Sequence, residues 1–235
     1  MPISEDPGGF DETAIRRSLE LFSLQSASLF DFDQLIEIRL WQRPTLEGMD
    51  RIDPAKKDEI PLRGFFDNLD AAVQEIKRYD EDDKTVGVFV VLNQIDPDSI
   101  EKRKIKIDNK IGKGLSTRDQ DIRRRRWLPL DFDPERPAGT MATDQEKQAA
   151  KKAQAIINDI LIKQHGWPDP VVVDSGNGYH DLFRVDLPND NGSKQLIRDF
   201  FKALNKLLPD DLRGLAKVDE VPHNAGRVIK LPGTV

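Results

Sequence analysis

From residue 127 to residue 221 the chain alternates at short intervals between runs that suit a strand and runs that suit a helix, and this order limits the fold more than any other feature. Residues 127–133 (WLPLDFD) are apolar and of strand length. Thr143-Asp144-Gln145-Glu146 is a capping-box sequence, in which the Thr hydroxyl and the Glu carboxylate each satisfy an orphan N–H at a helix start. It opens a long Ala/Lys/Ile-rich helix toward His165, which Gly166, Trp167 and Pro168 stop. Residues 171–174 are the next strand, Ser-Gly-Asn-Gly-Tyr is a glycine-bearing turn, and residues 180–185 are the return strand of a hairpin. Ser193 caps a helix running through Leu208, and residues 215–221 and 227–231 read as two final strands around Pro222-His223-Asn224.

Over residues 127–221 this is the order β-α-β-β-α-β, that of the ferredoxin-like or RNA-recognition-motif sheet. In that topology the strands lie in the order 4-1-3-2. Asp131 and Asp133 then end the central strand, His180 begins the third strand and Asp219 sits early in the fourth, so all four meet at one end of the sheet. The expected class is α+β, with this sheet packed against an N-terminal α/β unit. In that unit residues 11–24 and 67–79 have helical spacing, Ile36, Ile38 and Leu40 alternate as in a half-buried strand stopped by Pro44, and residues 86–92 (VGVFVVL) form a buried strand closed by Asn93. Asp96-Pro97 turns the chain into a polar, basic surface connection over residues 97–126. The expected division is an N-terminal subdomain over residues 1–100, a basic connector over 101–126 and a catalytic subdomain over 127–235, together one composite unit.

The absence of cysteine excludes disulfides, Cys-based zinc sites and thiolate-held iron–sulfur clusters, which leaves carboxylates and three histidines for any metal. No run approaches a membrane span and the N-terminus MPISEDPGG has no signal-peptide character, so the expected location is cytoplasmic, with no membrane partner. A net charge of −6 argues against nonspecific coating of nucleic acid, yet residues 101–126 hold eleven Lys/Arg against four Asp/Glu.

Side chains alternate across a strand, so Asp131 and Asp133 share a face while Phe132 takes the other. Two carboxylates about 7 Å apart along the backbone repel unless a cation lies between them. Mg²⁺ or Mn²⁺ suits such a site, with Asp219 as third ligand, and two ions in it would serve phosphoryl transfer. Taken alone, D-x-D before a proline is more often a solvated strand end. In Ser175-Gly176-Asn177-Gly178-Tyr179-His180, successive N–H groups and the Ser hydroxyl suit a phosphate-binding concavity with His180 as a further donor. Turn chemistry alone favours a plain type I′ hairpin over Asn-Gly. Arg227 and Lys230 are of the type that reaches phosphate, and so are Arg123, Arg124, Arg125 and Arg126, for which a nucleic-acid backbone and a solubilising loop are near-equal readings. Trp127 suits base stacking or, more commonly, a buried strand start.

In order, L-D-F-D-P-E-R-P, S-G-N-G-Y-H and V-D-x-x-x-x-N-A-x-R-V-x-K-L-P-G-T resemble the catalytic core of archaeo-eukaryotic primases, above all those of plasmids, phages and integrated elements. GVFVVLN, D-I-x-x-R and A-T-D-Q-E extend the resemblance to about residues 60–235. It implies a template-directed nucleotidyltransferase that makes primers or extends DNA from NTPs or dNTPs on single-stranded DNA. Asp131, Asp133 and Asp219 would hold the metal and His180 would contact the incoming nucleotide. Ser175 stands five residues before His180, where the family often has Ser-x-His. The resemblance also implies that the chain is the catalytic part of a longer replication protein with a helicase or accessory primase domain. A noncatalytic single-stranded nucleic-acid-binding module would show exposed aromatics on its central strands, where only Phe132 and Phe183 are candidates; a replication-initiator endonuclease would need a His-x-His pair, and His165, His180 and His223 form none.

Overall fold

The computed structural model describes residues 9–23, 35–43, 59–137 and 140–234. Its elements in chain order are α1 (Glu12–Ser23), β1 (Ile36–Gln42), β2 (Ile60–Phe66), α2 (Leu69–Asp80), β3 (Thr85–Val91), β4 (Gln94–Ile95), α3 (Pro97–Lys102), β5 (Ile122–Pro134), α4 (Asp144–Asn158), β6 (Val171–Asp174), β7 (Tyr179–Pro188), α5 (Asn191–Leu207), β8 (Ala216–Val218) and β9 (Val228–Lys230). The class is α+β with antiparallel sheets. Among the described residues no helix is long and apolar enough to cross a membrane.

Two compact units divide the described residues, one within Ser4–Arg123 and Gly226–Val235, the other within Arg124–Ala225. In the first, the sheet runs β2-β1-β3-β9 with every neighbouring pair antiparallel. Ile38, Leu40, Val88 and Val90 from its strands are buried with Ile15 and Leu19 of α1 and Ala72, Val73 and Ile76 of α2. The two helices and β1 and β3 match the sequence expectation, and the stop at Pro44 lies outside the described residues. β2 was not expected; Pro61 and Gly64 hide it, and Gly64 is required because a Cβ there would lie 2.5 Å from the Lys110 carbonyl oxygen.

The expected surface connection is tied into this unit by hydrogen bonds. Thr117 N–H donates to buried Glu37 at 3.1 Å, Ile111 N–H to Glu75 at 2.9 Å, and Arg103 pairs with buried Asp121. Residues 97–102 form α3, and β5 begins at Ile122, five residues before the expected start. The final strand, β9, pairs with β3, so residues 226–234 belong to this unit and not to the one that contains Asp131.

In the second unit the strands run β8-β5-β7-β6, antiparallel at each of these pairs, with β5 central; β4 also pairs with β5, which makes the sheet five-stranded. Thr143 and Glu146 form the capping box that starts α4, whose buried Ala150, Ala153 and Ile157 follow helical spacing. A wider π-helical stretch over Asp159–Gln164 prolongs it, and Gly166 at φ +69° ends it. Asp190, not Ser193, caps α5: its carboxylate accepts from Ser193 N–H. The core joins Leu128, Leu130 and Phe132 of β5, Phe183 of β7, Ile157 of α4 and Ile197, Phe201 and Leu204 of α5. Fully burying a side chain such as Phe132, Phe183 or Phe201 contributes about 1.5–3 kcal/mol. Because Leu130 and Phe132 take this face of β5, Asp131 and Asp133 are held on the opposite one.

Candidate metal centre

The carboxylates of Asp131, Asp133 and Asp219 offer oxygens that all lie within 4.8 Å of one another. Asp131 and Asp133 reach this place as alternate residues near the end of β5. Asp219 does so from just beyond β8, which is shorter than expected and gives way to a 3-10 turn over Val221–His223. The register is fixed by Phe132 opposite Val218, and Asp219 N–H donates to the Asp131 carbonyl oxygen at 2.7 Å.

Alpha-helical support comes from Asn205 of α5. Its amide donates to the Val218 carbonyl at 2.9 Å and accepts from Val218 N–H at 2.8 Å, gripping both backbone groups of the residue before Asp219. Val221 N–H donates to Asp219 Oδ1 at 3.1 Å. His223 donates from Nδ1 to the Glu220 carbonyl at 2.7 Å and faces Arg198 through Nε2 at 3.2 Å, so it braces the turn after Asp219.

His180 stands directly opposite Asp131 in the β5–β7 ladder, and its Nε2 lies 3.1 Å from Asp131 Oδ1. Burial pushes the Asp133 carboxyl above its ordinary range, the nearby charges of Asp131 and Asp219 push the same way, and His180 and Arg136 oppose them. Like charges at this separation repel by roughly 3–4 kcal/mol per pair at an effective dielectric near 20, and by less where water reaches them. A divalent cation among them would add carboxylate–cation attractions that offset these repulsions. Three carboxylates with no sulfur donor fit a hard, oxygen-preferring ion such as Mg²⁺ or Mn²⁺.

The turn over residues 175–178 contributes shape more than free donors. Ser175 N–H donates to the Gly178 carbonyl, Gly176 N–H to Asp174 and Gly178 N–H to Ser175 Oγ at 3.0 Å, so these three groups are used within the hairpin. Asn177 accepts from Ala142 N–H at 3.0 Å. Gly176 carries the positive φ, +85°, whereas Asn177 has none, so the turn is not the type I′ form that Asn-Gly suggests. Gly178 meets a different demand: a Cβ there would lie 2.4 Å from the Phe132 carbonyl oxygen and 3.1 Å from Asp133 Oδ1. Its lack of a side chain lets the hairpin close on the end of β5 that carries Asp131 and Asp133.

The four arginines lie in β5 and have protein partners. Arg123 pairs with Asp96 at 2.8 Å, Arg124 and Arg126 with Asp186 at 2.7 and 2.5 Å, and buried Arg125 donates to the His223 carbonyl at 2.8 Å. Trp127 is buried, with the Arg184 guanidinium 5.1 Å from its ring centre. Arg227 and Lys230 belong to the other compact unit, where Lys230 pairs with Phe89.

Three residues near the centre were not anticipated. Lys217 stands opposite Asp133 in the β5–β8 register, Arg136 follows on the loop after β5, and Asp181 lies on the helix side of β7. Only the register, which a sequence does not print, would have pointed to Lys217. No family model, no curated protein and no solved structure matches the chain.

Proposed function

We propose that the chain is a metal-dependent, template-directed nucleotidyltransferase of the archaeo-eukaryotic primase type, with a ferredoxin-like catalytic sheet, joining NTPs or dNTPs on single-stranded DNA. The observation that carries the reading is the meeting of Asp131, Asp133 and Asp219 at one sheet end with His180 opposite Asp131. Its support in topology is the antiparallel order β8-β5-β7-β6 with helices α4 and α5 packed into one core.

Mg²⁺ or Mn²⁺ held by the three carboxylates would supply activation of the attacking 3′-hydroxyl and charge stabilisation of the leaving pyrophosphate. The protein groups have separate tasks. Asp131, Asp133 and Asp219 hold the ion, and Asn205 and the Asp219 N–H bond keep the third carboxylate in place. His180, its Nε2 beside Asp131, donates toward the phosphates of the incoming nucleotide, and Gly178 leaves the space for that approach. The reading includes a cytoplasmic setting and a helicase or accessory primase domain as working partner.

The test is incorporation of labelled nucleotides on an unprimed single-stranded template with Mg²⁺ or Mn²⁺, comparing the wild-type chain with Asp131→Ala. The expected result is metal-dependent product from the wild type and none from the variant, with both unfolding cooperatively. Full synthesis by a folded Asp131→Ala chain would sink the reading.

A further inference from the structure

A cleft of about 690 Å³ opens beside the metal centre, lined by Asp133, Pro134, Glu135, Arg136, Pro137, Gly214 and Lys217. These residues come from the end of β5, the loop after it, and the approach to and body of β8. None comes from β7 or from the turn over residues 175–178. The cleft and His180 therefore lie on opposite flanks of β5, since β8 pairs with one edge of that strand and β7 with the other.

The two cations in the cleft are poorly matched by protein partners. Lys217 Nζ is 4.0 Å from Glu135, and both side chains are about half exposed, a contact that contributes little. Arg136 gives one guanidinium nitrogen to the Thr140 carbonyl, and its Nε is buried with no hydrogen-bond partner among the described residues. Arg136 lines the cleft, and a phosphate oxygen is the acceptor that best fits a guanidinium. Lys217 shares a sheet face with Asp133, so its ammonium and the metal ligands address the same space.

We propose that this cleft receives the phosphate of the strand being extended, with Arg136 and Lys217 gripping the backbone beside its reactive 3′ end. The inference rests on the nucleotidyltransferase reading. Phosphoryl transfer places attacking and leaving oxygens roughly in line on opposite sides of phosphorus. If the incoming nucleotide's phosphates lie on the His180 flank, the acceptor strand must enter from the β8 flank, where the cleft is.

Lys217→Glu tests this, since half-exposed Lys217 can change without disturbing the core, with Lys217→Arg as the conservative control and Arg136→Gln as a second variant. The probes are a fluorescein-labelled single-stranded oligodeoxynucleotide and a fluorescent deoxynucleoside triphosphate analogue, each titrated with Mn²⁺ present. Lys217→Glu should weaken oligonucleotide binding about tenfold and lower its salt slope by about 1, as loss of one phosphate contact does. Nucleotide affinity should stay within about twofold and Lys217→Arg should bind as the wild type does, because the cleft grips the strand and needs only the positive charge. Loss of nucleotide affinity with oligonucleotide binding intact would assign the cleft to the triphosphate and overturn the proposal, as would no change in either. Weakened oligonucleotide binding in a protein whose wild type incorporates no nucleotide would keep the strand site and remove the polymerase reading.

Discussion

Asp181 offers the sharpest test of the core beneath the candidate metal centre. It is wholly buried on the helix side of β7, where Gln154 Nε2 and Asn158 Nδ2 of α4 each donate to it at 2.6 Å. Burial raises its carboxyl from an ordinary 3.8 to about 6, although both amides and the nearby His180 work against the shift. The folded protein therefore binds a proton more tightly at Asp181 than the unfolded chain does. Stability from this group is fully present below the unfolded value and is lost as pH rises through the folded one. A shift of this size corresponds to roughly 3 kcal/mol lost between about pH 4 and pH 7. Asp181→Asn removes the titration and keeps the hydrogen bonds: Gln154 still donates to the oxygen, and Asn158, whose buried Oδ1 has no partner among the described residues, can turn its amide to accept from the new N–H. The assay is urea unfolding of wild type and Asp181→Asn across that range. The variant should match the protonated wild type at acid pH and gain on it by up to about 3 kcal/mol above pH 6. Two stability curves that stay parallel across the range would refute the reasoning. Asp181→Ala, by contrast, strands two buried donors and should lose about 1–3 kcal/mol for each at acid pH.

Mn²⁺ at a hundred times its dissociation constant should stabilise the wild type by about 2.7 kcal/mol in thermal unfolding. Asp133→Asn should abolish that gain while making the metal-free protein more stable, since it removes a half-buried charge repelled by Asp131 and Asp219; equal metal responses would count against the three-carboxylate site. Gly178→Ala should cost about 1–3 kcal/mol and weaken Mn²⁺ binding, because its Cβ meets fixed backbone at Phe132, and calorimetric titration would read both effects. Asn205→Leu should cost about 1–3 kcal/mol through the two Val218 backbone groups it leaves unpaired, and should lower Mn²⁺ affinity with Asp131 and Asp133 unchanged. Unaltered metal binding in that variant would show that Asp219 does not depend on Asn205.

Where a feature is local, the sequence carried it. Alternation along residues 128–133 put Leu130 and Phe132 in the core and the two aspartates on the other face, and Thr143 with Glu146 marked the start of α4. Features set by distant partners were hidden. The run IRRRR does not read as a strand, because what lets arginines enter one is their pairing with Asp96, Asp186 and the His223 carbonyl, all far away in sequence. Arg227 and Lys230 lie close in sequence to Asp219 and were grouped with it. Their strand instead pairs with β3, more than a hundred residues earlier, and that is a long-range choice no local pattern reveals. Lys217 was passed over because its place opposite Asp133 follows only from register.

The grip of Asn205 on Val218 also bears on assembly. Leu215 and Asp219 turn their backbone groups toward β5, which leaves those of Val218 pointing outward from the sheet's last strand. An outward-facing N–H and C=O pair is the usual template on which a foreign strand adds itself. Here a single side-chain amide occupies both groups, acting as a one-residue surrogate strand. At this position, next to Asp219, the edge of β8 thus has no free backbone pair to offer a foreign strand.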